Sequence, residues 1–217
     1  MLRTTDPRPR GLASIRELLD LVESEAPGPA PSFTGPHILL AFLTIASSSY
    51  VGRKTLATRS GLGEGAVRTI LRKLREGGYV STIRSGCYLS RSGKALAKSI
   101  HSDVSDILPI PKSDLTMGDS QAALILRGAG KNVHSGIEQR DSAIRVGAAG
   151  ATTYIMKSGR FAIPGGSSDC EKDYPSQVWS YLRKELKPKN DDAVILCGAR
   201  DEVSAKLGAL ASAITLL

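Results

Sequence analysis

Residues 105–116 read SDILPIPKSDLT, two prolines in a stretch with no hydrophobic period. This stretch divides two rhythms. Upstream, apolar residues return every three or four positions, the spacing of helices that bury one face. Downstream, apolar runs of strand length alternate with helical segments. A chain of 217 residues, 41% of them apolar, can bury two small cores. The break is therefore read as a linker between domains. The expected division is an N-terminal helix and Pro-rich linker over 1–35, a mainly helical domain over 36–104, the linker at 105–116 and an α+β domain over 117–217.

LASIRELLDLVES (12–24) places Ile15, Leu18, Leu19 and Val22 at helical spacing. Three prolines in APGPAPSFTG (26–35) then break the chain. Such a helix packs either on its own domain or against a partner subunit. PHILLAFLTIASS is apolar almost throughout, the mark of a buried helix. RKTLATRSG gives a short helix with Leu56 and Ala57 inward and Gly61 as its stop, and AVRTILRKLREGG a longer one closed by Gly77 and Gly78. YVSTI and CYLS flank RSG, a hairpin signal, and SRSGKALAKSIHSDV makes a last helix.

The net charge of +8 has an address. Residues 50–100 hold eleven Lys and Arg against Glu64 and Glu76, a local balance of +9. Charge focused in this way favours an acidic partner, nucleic acid before an anionic membrane. Within 64–76, Val67, Ile70, Leu71 and Leu74 fall within about 100° of one another on a helical wheel, the width of a core-facing stripe. Gly65, Arg68, Thr69, Arg72 and Lys73 take the other side. A helix that enters the DNA major groove needs this division, with a stripe to hold it and donors for base edges and phosphates. The arginine fork matches O6 and N7 of guanine together, and a small residue such as Gly65 allows close approach. Arg53 and Lys54 open the preceding helix, where phosphate is favoured. Arg84 sits at the hairpin tip.

TLATRSGLGEGAVRTILRKLREGGYV resembles the winged helix-turn-helix pattern of a short helix, a Gly-containing turn and a recognition helix ending in Leu-x-x-x-Gly-Tyr-Val. YLSRSGKALAKSI is similar to that family's exit, a strand followed by Leu-Ser-x-x-Gly-x-x-Leu. The resemblance covers about a third of the chain. It implies a DNA-binding fold in which Arg68, Thr69 and Arg72 read bases and Arg84 serves the wing. The turn departs from the pattern, with three glycines in 61–65. The whole chain also resembles archaeal-type winged-helix proteins whose C-terminal domain has no assigned function.

After residue 116 the elements read βα–ββ–αβ–α, from AALILRG to DEVSAKLGALASAITLL. A βαββαβ series with right-handed crossovers implies an antiparallel sheet backed by two helices, the ferredoxin-like plan, with one extra C-terminal helix. In that helix Val203, Leu207, Leu210, Ile214 and Leu217 form a seam that either covers the sheet or pairs two subunits. The polar cluster of this half is Gly128, Gly130, Lys131, Asn132, His134, Glu138 and Arg140, the expected place for a small-molecule effector. It is not a nucleotide phosphate loop, because Ile125 and Asn132 break the GxxxxGK[ST] spacing, although a Gly-rich turn can hold an anion. Glu138 and Asp141 share a helix face with His134 nearby, but no second His or Cys stands at ligand spacing, so neither a metal nor a catalytic group is expected.

MLRTTDPRPR lacks the apolar core of a secretion signal, and no apolar run reaches bilayer length. Cys87, Cys170 and Cys197 lie far apart without CxxC spacing, as in a reduced cytoplasmic protein. Cys197 reads as a buried residue and Cys170, in GGSSDCEKD, as a surface thiol. The expected function is a sequence-specific DNA-binding transcriptional regulator without cofactor or membrane partner. Its expected partner is double-stranded DNA, and its C-terminal domain either senses a small molecule or pairs two copies of the chain as a homodimer reading two half-sites. An A-form RNA groove is too narrow for a recognition helix. Two other readings stand beside this one: a small-metabolite enzyme regulated by a winged helix, and a winged-helix protein-docking module of the transcription machinery. Convergence of Lys131, His134, Glu138 and Arg140 in one pocket would favour the enzyme.

Overall fold

In a computed structural model of the chain, residues 10–23 and 32–217 are described. Most of the Pro-rich stretch read as a linker at 26–35 lies outside the described residues, as does the Val22 side chain. The first half runs α1 (Arg10–Glu23), α2 (Gly35–Ala46), α3 (Arg53–Ser60), α4 (Glu64–Glu76), β1 (Val80–Ile83), β2 (Gly86–Leu89) and α5 (Arg91–Asp103). This is the order read from the sequence. α1 packs on its own domain, against α5, α2 and α4, with Ile15 and Leu18 fully buried.

Local chemistry explains the boundaries. Gly61 ends α3 in the left-handed region at φ +67°, where a side chain would be strained. The exit of α4 is fastened to α5 by serines: the Ser90 hydroxyl accepts from Gly93 N at 3.0 Å, and both Ser90 and Ser92 donate to the Gly78 carbonyl at 2.6 and 2.7 Å. A Cβ on Gly93 would fall 2.0 Å from the Tyr79 carbonyl oxygen, so only glycine lets α5 start this close to the chain leaving α4.

The second half runs β3 (Leu108–Ile110), β4 (Ser120–Leu126), α6 (Ile137–Arg145), β5 (Gly150–Lys157), β6 (Arg160–Ala162), the short α7 (Cys170–Asp173), α8 (Val178–Leu186), β7 (Ala193–Ala199) and α9 (Glu202–Ile214). The sheet is antiparallel throughout, in the order β3-β4-β7-β5-β6. This corrects the ferredoxin-like expectation, in which both helices lie on one face. Here α6 and α9 cover one face and α8 the other. The cause is visible in β4 and β7, which are apolar at nearly every position. Ala122, Leu124, Ala193, Ile195 and Cys197 point to one layer, while Ala123, Ile125, Val194 and Leu196 point to the other. Strands that are apolar on both faces need cover on both faces.

The expected linker at 105–116 is also corrected. Leu108–Ile110 is an edge strand on β4, and Ser105 N donates to the Ile125 carbonyl at 3.0 Å. Pro109, which has no N–H to give, is tolerated at an edge. The two halves are not separate bodies, since one core runs from α2 and α4 through α9 to the sheet. α9 lies against α6, β7, β4 and α2, and it is buried almost all round. Its seam is therefore used inside the chain: Leu207 and Leu210 are buried, and Val203, Ile214 and Leu217 are partly so.

Candidate nucleic-acid interface

α4 presents the two faces that its spacing implied. Val67, Ile70, Leu71 and Leu74 are buried, while Gly65, Arg68 and Arg72 are exposed. A Cβ on Gly65 would meet nothing within 4 Å, so the N-terminal end of this face is open. The Thr69 hydroxyl is half-buried and donates back to the Gly65 carbonyl at 3.3 Å. Arg72 pairs with Glu76 at 3.6 Å, both about half exposed, a contact worth little in water and readily exchanged. Lys73 differs from its expected role. Its ammonium donates to the Leu21 carbonyl at 2.6 Å in the last turn of α1, where a cation also suits the helix dipole. It acts as a tie between α1 and α4. A second tie is the Tyr79 hydroxyl, which donates to the Glu17 carboxylate. Burial, then Glu17, pushes that phenol up to about 12.

The hairpin is held at its base by the segment between α2 and α3. Val51 N donates to the Cys87 carbonyl at 3.0 Å and Cys87 N to the Val51 carbonyl at 2.9 Å. A Cβ on Gly86 would fall 2.7 Å from the Val51 carbonyl oxygen. Beyond this anchor the tip projects, with Thr82, Ile83, Arg84 and Ser85 all exposed. Arg53 and Lys54 are exposed in the first turn of α3.

The ion-pair pattern shows what these cations are not used for. Of the eleven Lys and Arg in residues 50–100, only Arg72 and Lys73 have a side-chain hydrogen bond or ion pair to another described residue. The charged ends of Arg53, Lys54, Arg59, Arg68, Arg75, Arg84, Arg91, Lys94 and Lys98 have no such partner among the described residues. In the second half, Arg127, Arg140, Arg160, Arg183, Lys184 and Lys206 are paired with carboxylates, while Lys131, Arg145, Lys157, Lys172, Lys187, Lys189 and Arg200 have no ion pair among the described residues. The first half therefore carries a positive charge that its own fold leaves unneutralised.

The Gly-rich turn after β4 does not offer its donors to a ligand. Gly128 N donates to Asp192 Oδ1 at 3.0 Å and Gly130 N to the Asp191 carbonyl at 2.7 Å. Asp192 is 3% exposed and also accepts from Arg127 at 2.6 Å and Lys189 N at 2.8 Å. The chain's own carboxylate holds the place an external anion would take. Asn132 donates to the Leu216 carbonyl at 2.9 Å, and Arg140 is paired with Asp141 at 3.0 Å. Lys131, His134, Glu138 and Arg140 are all exposed, and none lines the cavities described here. No group of three metal-ligating side chains occurs among the described residues. Cys170 corrects the expected surface thiol: it is fully buried, and burial pushes its thiol up. Cys197 is buried as expected, its thiol pushed up to about 12.

Sequence reasoning missed three features. One is the anchoring of Arg127 and the Gly128 turn on Asp192, for which the Asp191–Asp192 pair before an apolar strand was the only signal. The second is a cavity of about 330 Å³ between the loop before β4, β5 and the segment before α8, lined by Asp114, Tyr154 and Tyr174. The third is a cleft of about 660 Å³ between the two halves, with Ser47 and His101 on one side and Arg127 and Glu185 on the other.

Comparison with known proteins bears mainly on the fold. Residues 117–216 match the family model described as domain of unknown function DUF4443. The chain is similar to the solved structure of hypothetical protein PH0730 from Pyrococcus horikoshii OT3, with a TM-score of 0.70 and 26% identity over 85% of this chain and 93% of that one. The mixed α+β architecture is thus found in a solved structure across nearly its whole length. A MarR family protein of Mycobacterium tuberculosis, Rv2887, aligns with a TM-score of only 0.30 and 23% identity over 42% of this chain and 65% of that one. No curated protein matches. None of the described helices is long and apolar enough to cross a membrane.

Proposed function

We propose that this chain is a transcriptional regulator that binds duplex DNA in the cytoplasm, with residues 36–104 acting as a winged helix-turn-helix unit. The observation that carries the reading is the unneutralised charge on α3, α4, the hairpin tip and α5, set beside an α4 whose apolar face is buried and whose arginine face is open. On this reading α4 enters the major groove. Arg68 and Arg72 reach base edges, with Arg72 leaving Glu76, and Arg53, Lys54 and Arg84 bind phosphate. Lys73 keeps α4 in place against α1. No catalytic role is assigned to the second half. It serves as a sensing and pairing domain, and its shared core with α2 and α4 gives it a mechanical route to the recognition helix.

A regulator reading two half-sites needs two copies. The α9 seam is occupied, so α6 is the better surface. Ile137 and Ile144 are 52% and 49% exposed and lie seven residues apart on one face, with Arg140 and Asp141 between them. Two α6 helices set antiparallel about a two-fold axis would bring Ile137 onto Ile144 and Arg140 onto Asp141, a self-complementary arrangement.

The test is selection from a random duplex pool by the wild-type chain and by Arg68→Ala/Arg72→Ala, repeated across a salt series. A motif that the double variant loses supports the reading. Weak, motif-free binding that modest salt removes from both proteins would overturn it, leaving a general electrostatic face.

A further inference from the structure

The cavity of about 330 Å³ in the second half lies at the small end of the range for ligand sites. Its floor is Tyr154, 2% exposed, whose ring meets Trp179 edge-on at 5.1 Å between centroids and Phe161 at 6.2 Å. That aromatic cluster holds the floor rigid. One wall is Tyr174. Its backbone is fixed by Trp179 Nε1, which donates to the Tyr174 carbonyl at 2.8 Å, while its side chain stays in solvent, the residue being 52% exposed. A half-exposed aromatic on an anchored backbone thus stands at the mouth of the cavity.

The charges around the cavity are one-sided. Asp114 is its only ionisable lining group apart from the two tyrosines, and no Lys, Arg or His lines it. Lys112, which interacts with Asp114 through space, gives its short ion pair to Asp119 at 2.7 Å. The donor that α8 turns toward this region, Val178 N, is taken by the Ser176 hydroxyl at 3.3 Å. What remains is two electron-rich rings, one carboxylate and the hydroxyls of Thr152 and Ser176 around an apolar space. A bare metal ion would find a single carboxylate there. An organic cation would find ring and charge together.

We infer that this cavity is a binding site for a small organic cation, an amine or quaternary ammonium on a compact apolar body, held by Tyr154, Tyr174 and Asp114. The site stands apart from the Gly-rich turn first expected to bind an effector. Recognition is a property of the second half alone and does not depend on the proposed DNA binding.

The experiment uses the full chain and three probes of one size: benzylammonium, benzyl alcohol and benzoate, titrated by two-dimensional amide NMR or calorimetry without DNA. Benzylammonium should bind at least about fivefold tighter than benzyl alcohol, and benzoate weakest. Asp114→Asn, on an exposed loop, should reduce the preference for the cation to what the rings alone supply. Tyr174→Ala should weaken benzylammonium by about three- to tenfold, and Tyr174→Phe, which keeps the ring, should leave it nearly unchanged. Equal binding of all three probes, preference for benzoate, no saturable binding at tens of millimolar, or a cation preference that Asp114→Asn leaves undiminished would each overturn the assignment. Because no DNA is present, a failed DNA selection and a failed titration are read separately.

Discussion

Val203 in the first turn of α9 brings its Cγ1 to 3.1 Å from the point where a Cβ on Gly61 would stand, and Gly61 holds a left-handed φ of +67°. The turn that leads into α4 therefore rests on a helix of the second half. This contact joins the cationic helix to the second half and has no slack for a larger residue.

Gly61→Val should cost about 2 kcal/mol or more, combining left-handed backbone strain with the clash at Val203. Gly61→Asn, which tolerates that backbone, should cost less. Urea unfolding of the two variants checks the order. Equal costs would show that the left-handed backbone is not what distinguishes the two substitutions.

Lys73 and Arg68 should separate stability from recognition, although both lie on the same cationic helix. Lys73→Ala removes the bond to the Leu21 carbonyl and should lower stability by about 1 kcal/mol with the selected DNA motif unchanged. Arg68→Ala should leave stability within about 0.5 kcal/mol and cost about 1–3 kcal/mol of discrimination at one position of the motif. Thermal melts and binding selections on the same preparations distinguish the two.

Asp192→Ala should cost about 3 kcal/mol or more. It strands the Gly128 and Lys189 amides and removes the carboxylate that Arg127 binds inside the protein. Asp192→Asn keeps an acceptor and should cost less. Denaturant midpoints of the pair measure the difference.

Asp201 caps α9, its carboxylate accepting from Ser204 N at 2.9 Å, and this bond holds its pKa below the ordinary 3.8. A depressed carboxyl stabilises the fold above its unfolded pKa and loses that contribution as pH falls through its folded value. Asp201→Ala should therefore cost about 1 kcal/mol near neutrality. The gap from wild type should narrow below pH 4, as followed by urea unfolding at several pH values.

Ile137→Asp/Ile144→Asp should convert a dimer to a monomer in sedimentation measurements while leaving the thermal midpoint close to that of the wild-type monomer, because both side chains are already half exposed. Paired wild-type and variant samples with the same mass would remove α6 as the pairing surface.

Much of the first half was legible because its signals are local. The stripe of Val67, Ile70, Leu71 and Leu74, the stop at Gly61 and the hairpin around RSG each depend on residues within a turn or two. The Gly93 of the exit pattern was legible as a pattern, but its reason, the Tyr79 carbonyl against it, was not. In the second half the sequence shows the longer elements but neither the edge strand Leu108–Ile110 nor the short helix Cys170–Asp173, and it does not show their arrangement. The apolar runs of β4 and β7 carry the needed clue, since continuous apolarity implies burial on both faces, whereas the ferredoxin-like plan covers one face alone.

Sequence by itself determined which residues form most of the helices and strands, where the positive charge is concentrated, and which face of α4 is apolar. These follow from side-chain spacing and backbone preference within short windows. Only the tertiary structure decided that β7 lies between β4 and β5, that the supposed linker is an edge strand, and that α9 is enclosed. It also decided that Lys73 is spent on Leu21 and that Asp192 fills the Gly-rich turn. Each of these joins residues distant along the chain. Which distant donor meets which acceptor is set by packing of the whole core, and no short window of sequence contains it.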